Sequence, residues 1–201
     1  MLKPSGRFVC PKAGSAKGNP RGIALMVVLV TVAVIIVLAT AITASISNEY
    51  NRILIAADAL FRFKTEIIGA PPSFYERIKS YPGHLIDLIE PITTAKTNSC
   101  GGFYKASPDV NNWLGPYHLI PYNPASGYTL SSGIVAQDAT IRTTFTNGAT
   151  ALGIVMNDVQ LADAQALKSR IDGTVGDTIA FTPNGTNPIS VTYRMPIGGN
   201  C

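Results

Sequence analysis

Few residues in this chain could do catalytic chemistry, and none of them stands in a recognisable catalytic pattern. The two histidines, His84 and His118, are far apart, and neither belongs to an H-E-x-x-H pair. The sequence also lacks a P-loop, a G-x-S-x-G elbow and a C-x-x-C pair. A lone histidine is more often a surface or hydrogen-bonded core residue than a catalyst. We therefore predict that the protein is not an enzyme, with no catalytic residue and no cofactor.

Two carboxylates near the C-terminus are the best candidates for a metal site. Asp172 and Asp177 flank Gly173 and Gly176. Calcium takes about six to eight oxygen ligands, so two carboxylates are too few unless the backbone supplies most of the others. We expect a polar turn after a helix at this position, and no metal.

A continuous apolar stretch from Ile23 to Ile46 is the element that must position the rest of the chain. It contains 24 residues and no charge. As a helix it would be about 36 Å long, against about 30 Å for the hydrocarbon core of a bilayer. Its polar residues can bond back to helical carbonyls one turn earlier. These residues are Thr31, Thr40, Thr43 and Ser45. The pattern predicts a membrane-spanning helix.

Charge gives this stretch a direction. Residues 1–22 contain five basic residues and no acidic one. Basic flanks stay on the cytoplasmic side, so residues 1–22 should be inside and everything after Ile46 outside. The whole chain has 16 basic and 12 acidic residues; without the five basic residues, 11 basic and 12 acidic ones remain. The excess positive charge therefore belongs to the leader and does not indicate a surface that binds nucleic acid.

The leader that ends in Gly22, followed by I-A-L-M-V-V-L-V-T-V-A-V-I-I-V-L-A, resembles the N-terminal signal of type IV pilins and type II secretion pseudopilins. In that family a prepilin peptidase cuts after the glycine and N-methylates the new first residue. The resemblance implies cleavage between Gly22 and Ile23 and methylation of Ile23. This chain departs from the family at two positions. The first mature residue of the family is usually Phe, where this chain has Ile23, and the fifth is usually Glu, where this chain has Val27.

The resemblance also implies a fold and a function. The fold would be α+β, with a long N-terminal apolar helix packed on an antiparallel sheet. Its domains would be a leader (1–22), a membrane-spanning helix half (23–46) and a pilin-like head (47–201). The protein would be a structural subunit of a type IV pilus or pseudopilus. Its partners would be other pilin subunits, the prepilin peptidase and the inner-membrane assembly machinery. It would start in the bacterial inner membrane and end in an extracellular or periplasmic filament.

Val27 suggests which kind of subunit this is. In the family, the carboxylate at this position pairs with the N-terminal amine of the subunit already added, because an unpaired charge in the membrane is costly. Valine cannot form that pair. A first subunit at the tip has no earlier neighbour, so Val27 favours a minor, tip or initiating subunit.

Two other interpretations of the N-terminus stay open. An ordinary signal-anchor would make the protein a membrane-anchored periplasmic binding or sensor domain that does not polymerise. A secretory signal peptide is the other, since Ala39-Thr40-Ala41 fits a small-x-small cleavage pattern after an apolar run. The mature chain would then start at Ile42.

The rest of the chain predicts a helix followed by strands. Apolar residues spaced by three and four continue the helix as an amphipathic element. They are Ile53, Ala56, Ala57, Leu60, Phe61, Ile67 and Ile68. Gly69-Ala70-Pro71-Pro72 should end it, and Ser73 should cap a short helix with Glu76 at the capping-box position.

After a loop, we expect short strands and one further helix. The expected strands are 117–122, 128–130, 139–145, 149–156, 178–182 and 189–195. Asn147-Gly148 and Asn184-Gly185 indicate hairpins, the first with a type I′ turn. The segment 158–172 predicts a helix that Asn157 or Asp158 caps and that ends before Gly173.

The family often staples its C-terminal region with a disulfide, and this chain has two cysteines in the exported part. Thiols are oxidised outside the cytoplasm, and Cys10 would be removed with the leader. We therefore expect a Cys100–Cys201 bond, with two free thiols as the alternative. The bond would close a loop of about 100 residues, worth up to about 4.7 kcal/mol in the chain-entropy model.

Overall fold

The computed structural model describes residues 20–119, 122–123, 125–173, 175–181 and 187–198, without the side chains of 20–25 and 42–47. The chain divides into two units, Met1–Ser47 and Asn48–Cys201. The helices are α1 (Pro20–Ile68), α2 (Phe74–Ile78) and α3 (Leu161–Asp172), with a 3₁₀ turn at Leu85–Leu88 and a π-helical segment at Ala106–Val110. The strands are β1 (Tyr122–Asn123), β2 (Gly127–Ser131), β3 (Ile134–Thr144), β4 (Thr150–Val159), β5 (Ile179–Ala180) and β6 (Ile189–Pro196).

The part of α1 that belongs to the second unit has one buried face. Ile53, Ala56, Ala57, Leu60 and Ile67 are buried, as their spacing predicts. Phe61 is 45% exposed, so its assignment to the apolar face was wrong. It follows the buried Leu60 directly, and successive residues of an α-helix point about 100° apart.

The predicted end of this helix is confirmed. The helix ends at Ile68, and the proline pair that follows cannot continue it. The predicted cap of α2 is confirmed too, because Ser73 Oγ accepts a hydrogen bond from Glu76 N at 3.4 Å. This cap satisfies one of the N–H groups that a helix start leaves unpaired.

The described strands form one antiparallel sheet in the order β1-β2-β3-β4-β6-β5. β4 and β6 are neighbouring interior strands, in which Leu152, Ile154 and Met156 lie opposite Met195, Tyr193 and Val191. All six side chains are buried and belong to one core with apolar residues of α1 and α3. Residues on one face of a strand alternate, so every second side chain reaches this core. The unit is therefore α+β with an antiparallel sheet.

The predicted fold class is wrong in its membrane-spanning helix half. No helix in the described part of the chain is both long and apolar enough to cross a bilayer.

The β3–β4 connection is the predicted hairpin, but the predicted type I′ turn is wrong. Phe145 N donates to Ala149 O at 2.9 Å, and Gly148 N donates to Phe145 O at 2.9 Å. The loop is thus one residue longer than a two-residue turn. Gly148 has φ +83°, whereas Asn147 does not have a positive φ. This is the three-residue hairpin in which glycine takes the left-handed position.

Three further local predictions have mixed outcomes. α3 ends before Gly173 as predicted, but its N-cap is Gln160 and not Asn157 or Asp158, because β4 continues to Val159. Of the strand predicted at 117–122, residues 117–119 form no strand and Tyr122 begins β1, while residues 120 and 121 lie outside the described residues. The N–H groups of Tyr117 and His118 both donate to Leu88 O. β5 and β6 pair antiparallel as predicted, and Asn184-Gly185 lies outside the described residues.

Candidate assembly surface

Residues 26–41 of α1, which we call the apolar segment, present apolar side chains on every side of the helix. The large side chains at 26–30, 32 and 34–38 are each between 48% and 72% exposed. The apolar segment contains no charged residue. Exposed apolar patches larger than a few hundred Å² mark interaction surfaces in proteins. The segment is therefore the strongest candidate for a surface that another molecule covers.

The hydroxyl groups of the apolar segment are turned inward to the helix backbone. Thr31 Oγ1 can donate a hydrogen bond to Val27 O at 3.0 Å or to Val28 O at 2.9 Å. Thr40 Oγ1 donates to Val37 O at 2.9 Å. The back-bonding expected for these two threonines is confirmed; the side chains of Thr43 and Ser45 are outside the described residues. Each hydroxyl is satisfied locally, so it adds little polarity to the surface.

The predicted processing residues lie at the start of α1. Gly22 and Ile23 belong to this helix, but their side chains are not described, and cleavage and methylation stay predictions. Val27 is 56% exposed. Because residues 26–41 contain no acidic residue, no other side chain in the apolar segment can supply the carboxylate that Val27 lacks.

Cys100 is disulfide-bonded, in a short loop closed by Asn98. Asn98 Oδ1 accepts hydrogen bonds from Cys100 N at 2.9 Å and from Gly102 N at 3.1 Å. The C-terminal end of β6 runs to the same place. Gly198 N donates to Tyr81 Oη at 2.9 Å, and Tyr81 O accepts from Ser99 N at 3.1 Å.

The pairing of Cys100 with Cys201 stays a prediction, because Cys201 lies outside the described residues. Cys201 is the third residue after Gly198, so at most about 10 Å of chain separates their Cα atoms.

A buried carboxylate that sequence reasoning missed holds the loop that carries Cys100. Asp87 is fully buried, and its carboxylate contacts Lys96 Nζ at 3.2 Å, Tyr104 Oη at 3.0 Å and His84 N at 3.2 Å. Its backbone carbonyl accepts from Trp113 Nε1 at 2.9 Å. The sequence around Asp87 has no periodicity that would indicate burial. The side chains that surround Asp87 come from separate positions along the loop, so no local pattern predicts them.

This burial leads to a pH-dependent prediction. Burial raises the pKa of the Asp87 carboxyl above its ordinary value, although Lys96 and Tyr104 oppose the shift. The folded state therefore keeps this proton to a higher pH than the unfolded state. The contribution of Asp87 to the free energy of unfolding is thus largest at low pH and falls as the pH rises above about 4.

Asp87→Asn removes this titration while keeping a side-chain oxygen acceptor. We expect the stability of Asp87→Asn relative to the wild type to rise between about pH 4 and pH 7. Urea unfolding of both proteins across that range measures it. A stability difference that stays constant or falls with pH would contradict the prediction.

The two candidate calcium carboxylates are held by protein groups. Asp172 accepts from Lys168 Nζ at 3.1 Å and from the N–H groups of Thr178 and Ile179 at 2.9 and 2.8 Å. Asp177 contacts Arg194 Nη1 at 2.8 Å and accepts from Thr146, whose hydrogen bonds lower the pKa of the Asp177 carboxyl. In the ranges that the structure describes, no three His, Cys, Asp or Glu side chains lie together as a metal site.

Both histidines also contact carboxylates. His84 Nδ1 lies 2.9 Å from Asp138 Oδ2, while the other oxygen of Asp138 accepts from Ile86 N at 2.8 Å. His118 is buried, contacts Glu66 of α1 through Nδ1 and stacks on Phe63 with ring centroids 4.3 Å apart. These contacts attach the loops to β3 and α1, which is a structural role.

Comparisons of this chain with protein-family models, with curated proteins and with solved structures found no match.

Proposed function

We propose that the protein is a structural subunit of a type IV pilus or pseudopilus, which assembles through the apolar segment of α1. The observation that supports this proposal is the exposure of large apolar side chains all round residues 26–38, without a charge among them. Burying one such side chain stabilises an assembly by about 1.5–3 kcal/mol. Packing of these residues against other subunits would therefore supply a large driving force for a filament.

In this proposal the leader is removed before assembly. The prepilin peptidase cuts between Gly22 and Ile23 and methylates Ile23, and the assembly machinery of the bacterial inner membrane adds the subunit to the filament. The head acts outside the cytoplasm. The disulfide at Cys100 supports that location, because disulfides persist in oxidising compartments and are rare in the cytosol.

Val27 supports a minor subunit at the initiating end. A carboxylate at this position would draw each new subunit to the amine of the one before it, and Val27 has no such group. A filament built mainly from this chain would have to find its register from apolar contacts alone.

The stoichiometry of purified filaments tests this proposal. We expect one or a few copies of this chain per filament, counted by quantitative mass spectrometry against the main subunit. Abundance equal to the main subunit would exclude the initiating role, and absence from filaments would contradict the function itself.

A substitution at Val27 gives a second test. An initiating subunit has no earlier amine to pair with, so Val27→Glu should not raise its copy number, or should move it along the shaft. Val27→Leu is the matched control, since it keeps the position apolar. A rise to the abundance of the main subunit would contradict the initiating role.

A further inference from the structure

A lysine and an aspartate are in contact where the 3₁₀ turn leads into the loop that carries Cys100. Lys96 Nζ lies 3.2 Å from Asp87 Oδ1. Both atoms are buried, and their contact lacks the alignment of a hydrogen bond. Two buried charges are costly unless good hydrogen bonds satisfy both groups, so the neutral forms of such a pair cost less than the charged ones. The contact therefore favours a neutral amine beside a neutral carboxyl group.

One buried residue, Tyr104, holds both members of this pair in place. Its backbone N–H donates to Lys96 O at 3.1 Å, and its hydroxyl donates to Asp87 Oδ2 at 3.0 Å. Tyr104 is itself only 1% exposed, so the surrounding core fixes its ring. Groups that a fold holds together in this way react as if at effective concentrations of about 10⁵–10⁸ M. Such positioning can drive a condensation that a free amine and a free carboxyl group do not undergo in water.

The two oxygens of the Asp87 carboxyl group have different surroundings. Oδ2 accepts from Tyr104 Oη and from His84 N, at 3.0 and 3.2 Å, whereas Oδ1 contacts Lys96 Nζ. Burial raises the pKa of the Asp87 carboxyl, which favours transfer of a proton to it from Lys96. Two donors aimed at one oxygen stabilise the negative charge that develops there during acyl transfer. The site thus combines an amine, a carboxylic acid and two donors for the oxygen that stays.

We propose that Lys96 and Asp87 condense to an amide bond after the chain has folded. The lone pair of Nζ attacks Cγ of Asp87, and a C–N bond forms. The hydroxyl of Tyr104 and the N–H of His84 stabilise the charge on Oδ2. The bond from Cγ to Oδ1 then breaks, and Oδ1 leaves as water with two protons of the original ammonium group. Nζ keeps one proton in the neutral amide, so the step requires no oxidant and no other reactant.

The amide changes the loop in two ways. It closes a covalent ring between positions 87 and 96, and reducing agents that open the disulfide of Cys100 leave this ring intact. It also removes the carboxyl group of Asp87, so the pH dependence predicted above belongs to the chain before the bond forms. The inference does not depend on the proposed function, because it uses only contacts within the head.

Mass spectrometry of a tryptic digest of the reduced full-length protein tests the bond. We expect a peptide of residues 80–105 that is lighter than its sequence by one water, because the amide blocks cleavage after Lys96. Its share should grow while the purified protein is incubated, and the pH dependence of stability should decline in step. Complete cleavage after Lys96 at every time point, without loss of water, would overturn the inference.

Three variants separate this bond from other losses of water. Lys96→Arg keeps the positive charge but has no amine that can form the amide, so it should keep its full mass. Lys105→Arg is the matched control, because Lys105 is exposed in the same loop, and it should lose water like the wild type. Tyr104→Phe keeps the ring but removes one donor to Oδ2, and should slow bond formation about 100-fold. Thermal unfolding confirms that each variant is folded. Loss of water from Lys96→Arg, or a wild-type rate in Tyr104→Phe, would contradict the proposed reaction.

Discussion

Replacement of Gly22 by leucine should leave the leader attached and remove the protein from filaments. The family resemblance assigns the peptidase cut to the bond after Gly22, where the enzyme needs a small residue. A retained leader also keeps five basic residues in front of the apolar segment, and their charge opposes its burial among other subunits. Mass measurement of the purified protein detects the leader, and electron microscopy of labelled filaments detects incorporation.

The leader offers a matched control for this variant. Gly18→Leu makes the same change four residues earlier and should be processed normally. If Gly22→Leu is processed like the wild type, or if Gly18→Leu blocks processing equally, cleavage between Gly22 and Ile23 is wrong.

The second large effect is expected at the ion pair between α1 and α3. Arg52 Nη2 contacts Asp163 Oδ1, and Arg52 Nη1 donates to Ser132 O at 3.2 Å. Asp163 is only 3% exposed. Arg52→Ala would leave its carboxylate buried without its cation, which costs about 3–5 kcal/mol in known cases. We expect a melting temperature about 10 °C lower for a head of this size.

Arg62→Ala is the matched control on the same helix. Arg62 pairs with Asp58, but both side chains are more than 60% exposed, and such pairs contribute about 0–1 kcal/mol. Thermal unfolding should therefore separate the two variants clearly. Arg52→Ala,Asp163→Ala should recover part of the loss, since no buried charge stays unpaired. A single variant Arg52→Ala as stable as Arg62→Ala would contradict this account of the ion pair.

What could be predicted from the sequence depended on local chemistry. The end of α1 before Pro71, the Ser73 cap and the hairpin at Asn147-Gly148 follow from residues within a few positions of each other, where proline, serine and glycine have strong conformational preferences. The predicted type I′ turn was wrong because the register of the flanking strands decides whether a two-residue or a three-residue loop closes the hairpin, and both loops accept a glycine at position 148.

Contacts between distant residues could not be predicted in this way. Arg52 and Asp163 are 111 positions apart, and no pattern in either segment names the other as its partner. The predicted start of α3 was also wrong. Pairing with β6 extends β4 as far as Val159 and overrides the preference of Asp158 for a helix N-cap. The membrane-spanning helix half was inferred from an apolar run. Among the described residues, no helix is long and apolar enough to cross a membrane.

The mass of the N-terminal peptide in purified surface filaments tests the central claim most directly. The account predicts a peptide of this chain that begins at N-methyl-Ile23 and is present in the filament fraction. A chain that keeps its leader, or one that begins at Ile42 and is absent from filaments, would contradict the assignment as a filament subunit.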